Sequence, residues 1–305
     1  MKSEIRMQPA AVADPRRGAA TLARDVLGLF KLRIGVLIMI TALVGLAITP
    51  GPALSALQIA ALAIAVLVAS ASAGAFNQYV EHESDRLMAR TRRRAFVTGA
   101  LAPTPFWLAV IAAMLAGAVA LAWAALNVAA AAYVFLGAFF YAVVYTVWLK
   151  RRSSLNIVVG GLAGSFAVLA GAAAVDPTPG ALPLLLALVL FLWTPPHFWS
   201  LAIANAADYA AAGVPMLPVV VGTRRAAWTV FASTVALVVA SLVPLAFGAG
   251  PAYGAGAALA GFHFLHKTWR LARTPSRATA MGAFFASLVQ LSVVLVAACI
   301  DVLLR

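Results

Sequence analysis

Acidic residues are nearly absent from this chain. Nine Asp and Glu stand among 305 residues, and charged residues of both signs make up only 10% of the sequence. A soluble domain carries about 25% charged residues, so a water-soluble globule is excluded. Disorder is excluded as well, because 64% of the residues are hydrophobic and such a chain collapses or enters lipid. Cysteine occurs once, at Cys299, which rules out an internal disulfide and a Cys-based zinc site. The N-terminal stretch is not expected to act as a cleaved secretion signal either. The first apolar stretch follows a polar leader of about 30 residues with no clear cleavage site, so it is expected to remain as a helix.

What the chain does have is long apolar runs. Nine can be read, at about 34–49, 53–76, 103–123, 125–148, 155–175, 181–203, 226–247, 251–266 and 279–303. Runs this long suit spanning helices, whose backbone groups bond within the segment, better than strands. The expected fold is an all-α polytopic membrane bundle of nine transmembrane helices. The eighth run is the shortest and ends in the polar stretch from His263.

A net charge of +13 would point to nucleic acid in a soluble protein. Here its placement speaks of membrane orientation instead, and no nucleic-acid partner is expected. Every Lys and Arg except Arg305 precedes the first run or falls in the loops after runs two, four, six and eight. Cationic loops resist translocation, which predicts a cytoplasmic N-terminus and an outside C-terminus in a multi-pass protein of the cell inner (plasma) membrane. Two long polar loops, 77–101 and about 204–225, occupy equivalent places and suggest a four-plus-four helix order with a ninth helix added. Residues 1–30 then form a cytoplasmic polar leader, and residues 31–305 a single intramembrane domain.

The first polar loop begins Asn77-Gln78-Tyr79-Val80-Glu81-His82-Glu83-Ser84-Asp85-Arg86 and holds three of the nine acids. If the second helix continues, Asn77, Glu81 and Asp85 recur every fourth residue and share one face. Stacked oxygen ligands suit Mg²⁺, which binds through one or two carboxylates plus substrate phosphates. Arg90 and Arg94 continue the spacing and could grip phosphate oxygens as forks. The plainer alternative is a helix emerging among headgroups, its arginines snorkelling and its acids balancing them.

In the second region, Trp193-Thr194-Pro195-Pro196-His197-Phe198-Trp199 places two prolines inside an apolar run. They are expected to break or kink the sixth helix. His197 then bonds a freed carbonyl or touches substrate. Asp208, followed by Tyr209, is the only acid on the cytoplasmic side of the second half, and is either a metal ligand or a helix cap. Lys150-Arg151-Arg152 could be an orientation signal alone.

These segments, in this order, resemble the protohaem IX farnesyltransferases (haem O synthases), a branch of the UbiA-type intramembrane prenyltransferases. The matching positions are Asn77, Asp85-Arg86, Met88, Arg90-Thr91, Arg94, Leu149 to Arg152, Asn156, Trp193 to Trp199, Asp208-Tyr209 and Ala212 to Pro218, within about residues 25–303. The resemblance implies an enzyme that moves the farnesyl group of farnesyl diphosphate to a vinyl group of haem B, with Mg²⁺ bridging the diphosphate. It implies metal ligation by Asn77, Glu81, Asp85 and Asp208, and diphosphate binding by Arg90, Arg94, Lys150, Arg151 and Arg152. The catalytic set is then Asn77, Glu81, Asp85, Arg90 and Asp208. His197, Trp193, Phe198, Trp199 and Tyr209 are candidates for the acceptor pocket. Implied partners are membrane lipid, the small-molecule substrates, and haem A synthase or the terminal-oxidase assembly machinery.

Some positions depart from the family pattern. Glu81 and Glu83 stand where aspartates are usual, and Leu32 replaces a proline. Asn205 and Ala207 lack the charge common just before the Asp-Tyr pair. Two alternatives follow: a related prenyltransferase with another acceptor, or a catalytically silent haem carrier.

Overall fold

The structure, a computed structural model, describes residues 18–304, so Lys2, Arg6, Arg16, Arg17 and Arg305 of the charge map lie outside the described residues. Those described are helical throughout, joined by turns and short loops, with no strand among them. The chain enters through α1 (Ala19–Leu29) and turns by 45° into α2 (Leu32–Ala47). Next come α3 (Ala56–Asp85), a short α4 (Ala95–Thr98), α5 (Pro105–Ala125) and α6 (Val128–Phe139). α6 runs on into a π-helical stretch, Phe140–Leu149. Then follow α7 (Asn156–Gly160), α8 (Leu162–Val175), α9 (Ala181–Ala204), α10 (Ala206–Ala211) and α11 (Leu217–Val221). α12 (Thr223–Leu242), α13 (Pro251–Arg273) and α14 (Arg277–Leu303) complete the bundle.

The expected nine runs all fold as helices, and seven or eight of them meet the length and apolarity of a membrane span. Among the described residues seven helices are long and apolar enough to cross a membrane, and the bent α1–α2 pair makes an eighth. α13 falls short because His263, His266, Lys267, Arg270 and Arg273 crowd its second half. The bundle also begins earlier than the leader boundary implied. Leu29 is buried, and the Gln78 amide donates to the carbonyls of Gly28 and Leu29, both at 2.9 Å, tying α1 to α3.

Packing divides the helices into two groups. α2, α3, α5, α6 and α8 pack on one another, as do α9, α12, α13 and α14, and the groups meet where α8 lies on α9 and α14 on α2. Apolar burial alone does not hold helices together in lipid, so close backbone approach and interhelical hydrogen bonds matter more. Both are present. A Cβ on Gly171 would stand 1.7 Å from the Ala42 carbonyl oxygen, and one on Gly45 2.2 Å from that of Val168, so α2 and α8 touch through glycine at two levels. Ser72 donates to the Ile111 carbonyl (3.0 Å), joining α3 to α5, and Ser165 to that of Ala187 (2.7 Å), joining α8 to α9.

α9 corrects another expectation. It is continuous through Pro195 and Pro196 rather than broken there. The prolines remove two backbone donors, but neighbouring side chains and helices support the turn, as they commonly do in membrane helices. Thr194 Oγ donates to the Leu190 carbonyl (2.9 Å), Ser200 Oγ to that of Pro196 (2.6 Å), and the Trp193 indole to the Ser287 carbonyl on α14 (2.7 Å).

Candidate active site

The second helix does continue past the apolar run. A capping box, Ser55 with Gln58, starts α3, which carries Asn77, Glu81 and Asp85 down one face before ending at Asp85. All three side chains are buried, which the plain helix-exit alternative does not require. Three cations arrive on them from elsewhere in the chain. Lys31 Nζ donates to Asn77 Oδ1 at 2.6 Å, Lys150 pairs with Glu81, and Arg94 pairs with Asp85 Oδ2. Ion pairs so enclosed are screened little and are costly to break singly.

Arg94 reaches Asp85 differently from the helical spacing expected. After Asp85 the chain turns back, with Thr91 Oγ donating to the Asp85 carbonyl (2.9 Å), and this return delivers the Arg94 guanidinium. Arg90 stays exposed on the turn, although its charge reaches the Tyr145 phenol, as do those of Glu81 and Arg94. Of the basic triplet only Lys150 turns inward, whereas Arg151 and Arg152 are exposed.

The π-helical stretch explains how Lys150 gets there. Wide turns of this kind interrupt α-helices often at functional sites. Here the Lys150 amide bonds to the Tyr145 carbonyl (2.9 Å), five residues back, so Tyr141, Tyr145, Thr146 and Lys150 all turn toward α3. The Tyr141 OH accepts from Lys31 Nζ (3.2 Å), and Thr146 Oγ accepts from the Asn77 amide nitrogen (3.1 Å) while donating to the Tyr141 carbonyl (2.8 Å). Asn77 is thereby held at both ends of its amide. Asp85 is not: its Oδ1 is buried with no hydrogen-bond partner among the described residues. The Asn156 amide donates to the Lys150 carbonyl (3.2 Å) and fixes the end of the π stretch.

Lys31 belonged to the charge tally but not to the expected site. It stands at the bend between α1 and α2 with φ 47° and ψ 42°, the only residue other than glycine with positive φ among those described. Such a backbone costs about 1–3 kcal/mol and persists where the surroundings over-determine it. Its position as the last lysine before the first apolar run was the available signal. Tyr141, Thr146 and Gln78 offered none, being ordinary residues in apolar or mixed segments.

The second loop is less assembled. Asp208 lies in the first turn of α10, half-buried, and its carboxylate makes no hydrogen bond or ion pair with another described residue. Among the described residues no three His, Cys, Asp or Glu side chains converge as a metal cluster. Glu81 and Asp85 on α3 and Asp208 on α10 therefore stand as two separate banks. Tyr209 and Trp199 are buried together with Met88, Ile157 and Met216, and the Trp199 indole nitrogen has no partner among the described residues. His197 is stacked between Trp193 (centroids 4.1 Å apart) and Phe284 (4.5 Å), with Nδ1 at 2.6 Å from Ser287 Oγ. It bonds a hydroxyl on α14 rather than a freed carbonyl. Phe198 turns outward, 36% exposed.

A membrane helix bundle with a cation-paired oxygen face at its basic end is the scaffold of an intramembrane prenyltransferase, and comparison agrees. Residues 38–289 match the UbiA prenyltransferase family, and the chain belongs to that family. It is 54% identical to protoheme IX farnesyltransferase 2 of Paramagnetospirillum magneticum, over 90% of this chain and 96% of that one. Its fold is that of a structure of digeranylgeranylglyceryl phosphate synthase (TM-score 0.77, 18% identity, covering 93% of this chain and 100% of that one). It is also that of a UbiA homologue from Archaeoglobus fulgidus bound to DMAPP and Mg²⁺ (TM-score 0.68, 15% identity, covering 88% and 99%).

Proposed function

We propose that this enzyme transfers the farnesyl group of farnesyl diphosphate to a vinyl group of haem B, giving haem O for terminal-oxidase assembly. The observation that carries this is the α3 face where Asn77, Glu81 and Asp85 meet Lys31, Lys150 and Arg94. The acceptor rests on the 54% identity to a protohaem IX farnesyltransferase.

In the reaction, the bond between farnesyl C1 and the diphosphate oxygen breaks, and its electron pair leaves with the diphosphate. The vinyl carbon of haem B forms the new bond to C1, and water adds to the neighbouring carbon and releases a proton. Arg94 and Lys150, with Arg90, Arg151 and Arg152 at the rim, offset the charge that grows on the leaving diphosphate. Trp199 and Tyr209 line the acceptor side, His197 and Trp193 stiffen it by stacking, and Phe198 closes it toward lipid. These apolar walls keep water from the allylic cation until the carbon–carbon bond has formed.

The oxygen-only donor set and the unpartnered Asp85 Oδ1 fit a hard divalent ion such as Mg²⁺. Asn77, Glu81 and Asp85 would hold it from α3 and Asp208 from the second bank, and when bound it supplies further neutralisation of the diphosphate. The basic end faces the cytoplasm in a nine-span map of the plasma membrane, with α13 as the eighth span and the C-terminus outside. Haem A synthase or oxidase-assembly proteins then receive the product.

Two experiments test this reading. Membranes containing the protein, supplied with haem B, farnesyl diphosphate and Mg²⁺, should yield haem O by mass. A different prenylated product would reassign the acceptor, and none would favour a silent carrier. A reporter fused after Gly180 should read outside, and a cytoplasmic signal there would overturn the map.

A further inference from the structure

The second half of the chain keeps its cations without acids. Between Asp208 and Asp301 the sequence holds Arg224, Arg225, Lys267, Arg270, Arg273 and Arg277, and neither aspartate nor glutamate. They gather at one end of the bundle, where α12 and α14 start and α13 finishes. All but the half-buried Lys267 are exposed, and none of the six makes an ion pair among the described residues. The first half is different. There Glu83 meets Arg86, Asp85 meets Arg94 and Glu81 meets Lys150.

What these cations have beside them is an aromatic cluster. Trp228 and Phe231 on α12 meet the Trp269 ring on α13 edge to face, with centroids 5.7 and 5.3 Å away. The Arg273 guanidinium lies over Trp269, 5.7 Å from its centroid. Both tryptophans are partly open, Trp228 at 40% and Trp269 at 42% exposure, and neither indole N–H has a hydrogen bond among the described residues. The two helices present the same order of layers. They touch where Gly261 approaches Val238, then the aromatic rings follow, and one turn further come Arg224 on α12 and Arg273 on α13. An indole with its ring in apolar surroundings and its N–H toward polar ones suits the boundary between acyl chains and headgroups.

Length points the same way. The apolar part of α13, residues 251–262, rises about 18 Å, well short of the hydrocarbon thickness of about 30 Å. The exposed His263 and His266 follow at once. Headgroups must therefore come inward beside this helix, toward cations whose stems cover only part of the gap.

We propose that the α12–α13 end is a binding surface for an anionic glycerophospholipid, with Arg224, Arg270 and Arg273 on its phosphate and its acyl chains against Trp228, Trp269 and the exposed Phe262. Charge selects the headgroup. A zwitterionic lipid brings its own ammonium into an uncompensated basic patch, whereas an anionic one brings only the counter-charge. The surface stands apart from the oxygen face of α3, and the proposal does not depend on which prenyl acceptor the enzyme uses.

The test uses the full-length protein, delipidated in detergent and titrated with phosphatidylglycerol or phosphatidylcholine, with bound lipid counted by native mass spectrometry. Wild type should bind phosphatidylglycerol roughly 10-fold more tightly than phosphatidylcholine, or better, as expected for two or more arginines near one phosphate. Replacing Arg270→Gln and Arg273→Gln together should reduce that preference to about twofold or less. Arg92→Gln with Arg93→Gln removes the same charge from exposed positions of the first polar loop and should keep the preference. Phosphatidylglycerol should likewise raise the melting temperature of wild type and of the Arg92/Arg93 variant, but not of the Arg270/Arg273 variant. No preference in wild type would overturn the proposal, and so would an equal loss in both double variants, which would leave net charge as the only factor. Displacement of the lipid by an equal concentration of soluble glycerol phosphate would overturn it too, because the surface would then hold a free anion rather than a lipid.

Discussion

Arg94 and Asp85 lie nine residues apart and meet through one carboxylate oxygen only: the guanidinium takes Oδ2, while Oδ1 is buried with no donor among the described residues. The arginine thus orients the carboxylate and leaves one oxygen open to a ligand. An unmade bond on a buried carboxylate oxygen is costly, and the arrangement has the character of a preorganised site.

Asp85→Asn should insert and fold, because the side chain keeps its size and an oxygen for Arg94. Haem O production should fall by about 10²–10³, the loss usual for one preorganised electrostatic contact. The check is product formation at saturating and limiting Mg²⁺, with thermal melting alongside. An unchanged rate at both would remove Asp85 from the site.

Lys150 and Arg151 are neighbours of equal charge with different settings, Lys150 enclosed on Glu81 and Arg151 exposed. Lys150→Met should lower kcat/KM for the donor by roughly 10- to 100-fold, matching a charge-assisted contact. Arg151→Gln should cost about threefold or less, as expected for a solvent-screened charge. Steady-state kinetics on both variants decide it, and equal losses would mean that only net charge matters.

Glu81→Asp should leave activity equal or higher. It keeps the charge on the α3 face and shortens the reach by one methylene, and the Lys150 side chain is flexible enough to follow. Glu81→Gln removes the charge and leaves Lys150 unpaired, so it should lose activity and melt lower. The comparison of the two by product mass and melting separates charge from length.

Gly171→Ala should destabilise by about 1–3 kcal/mol or more, because its Cβ would meet the Ala42 backbone, which cannot yield as a side chain can. Gly117, on α5, has open space where a Cβ would stand, with no neighbouring atom within 4 Å, and Gly117→Ala should be neutral or stabilising by helix propensity. Unfolding in mixed micelles measures both. A neutral Gly171→Ala would disprove the close α2–α8 contact.

Asp301 is the contrasting buried acid. It accepts from the amides of Gly250 (2.7 Å) and Tyr253 (3.3 Å) at the start of α13, far along the chain from the oxygen face. It acts as a helix cap, so Asp301→Ala should lower stability by about 1–2 kcal/mol without changing the donor KM. A changed donor KM in folded protein would contradict this assignment.

The amino-acid sequence alone determined the membrane class, the helical secondary structure and the face shared by Asn77, Glu81 and Asp85. Apolar run length, charge scarcity and a four-residue repeat are local properties, and a helix converts them directly into position. Tertiary structure decided which groups meet that face. Lys31 lies 46 residues from Asn77 and 110 from Tyr141, and no periodicity connects them. The π register that turns Lys150 inward, the return of the chain that brings Arg94 back, and the continuity of α9 through Pro195 and Pro196 also depend on neighbouring helices. Each is a local cost or an ambiguous local preference, and only contacts made elsewhere in the bundle select the outcome.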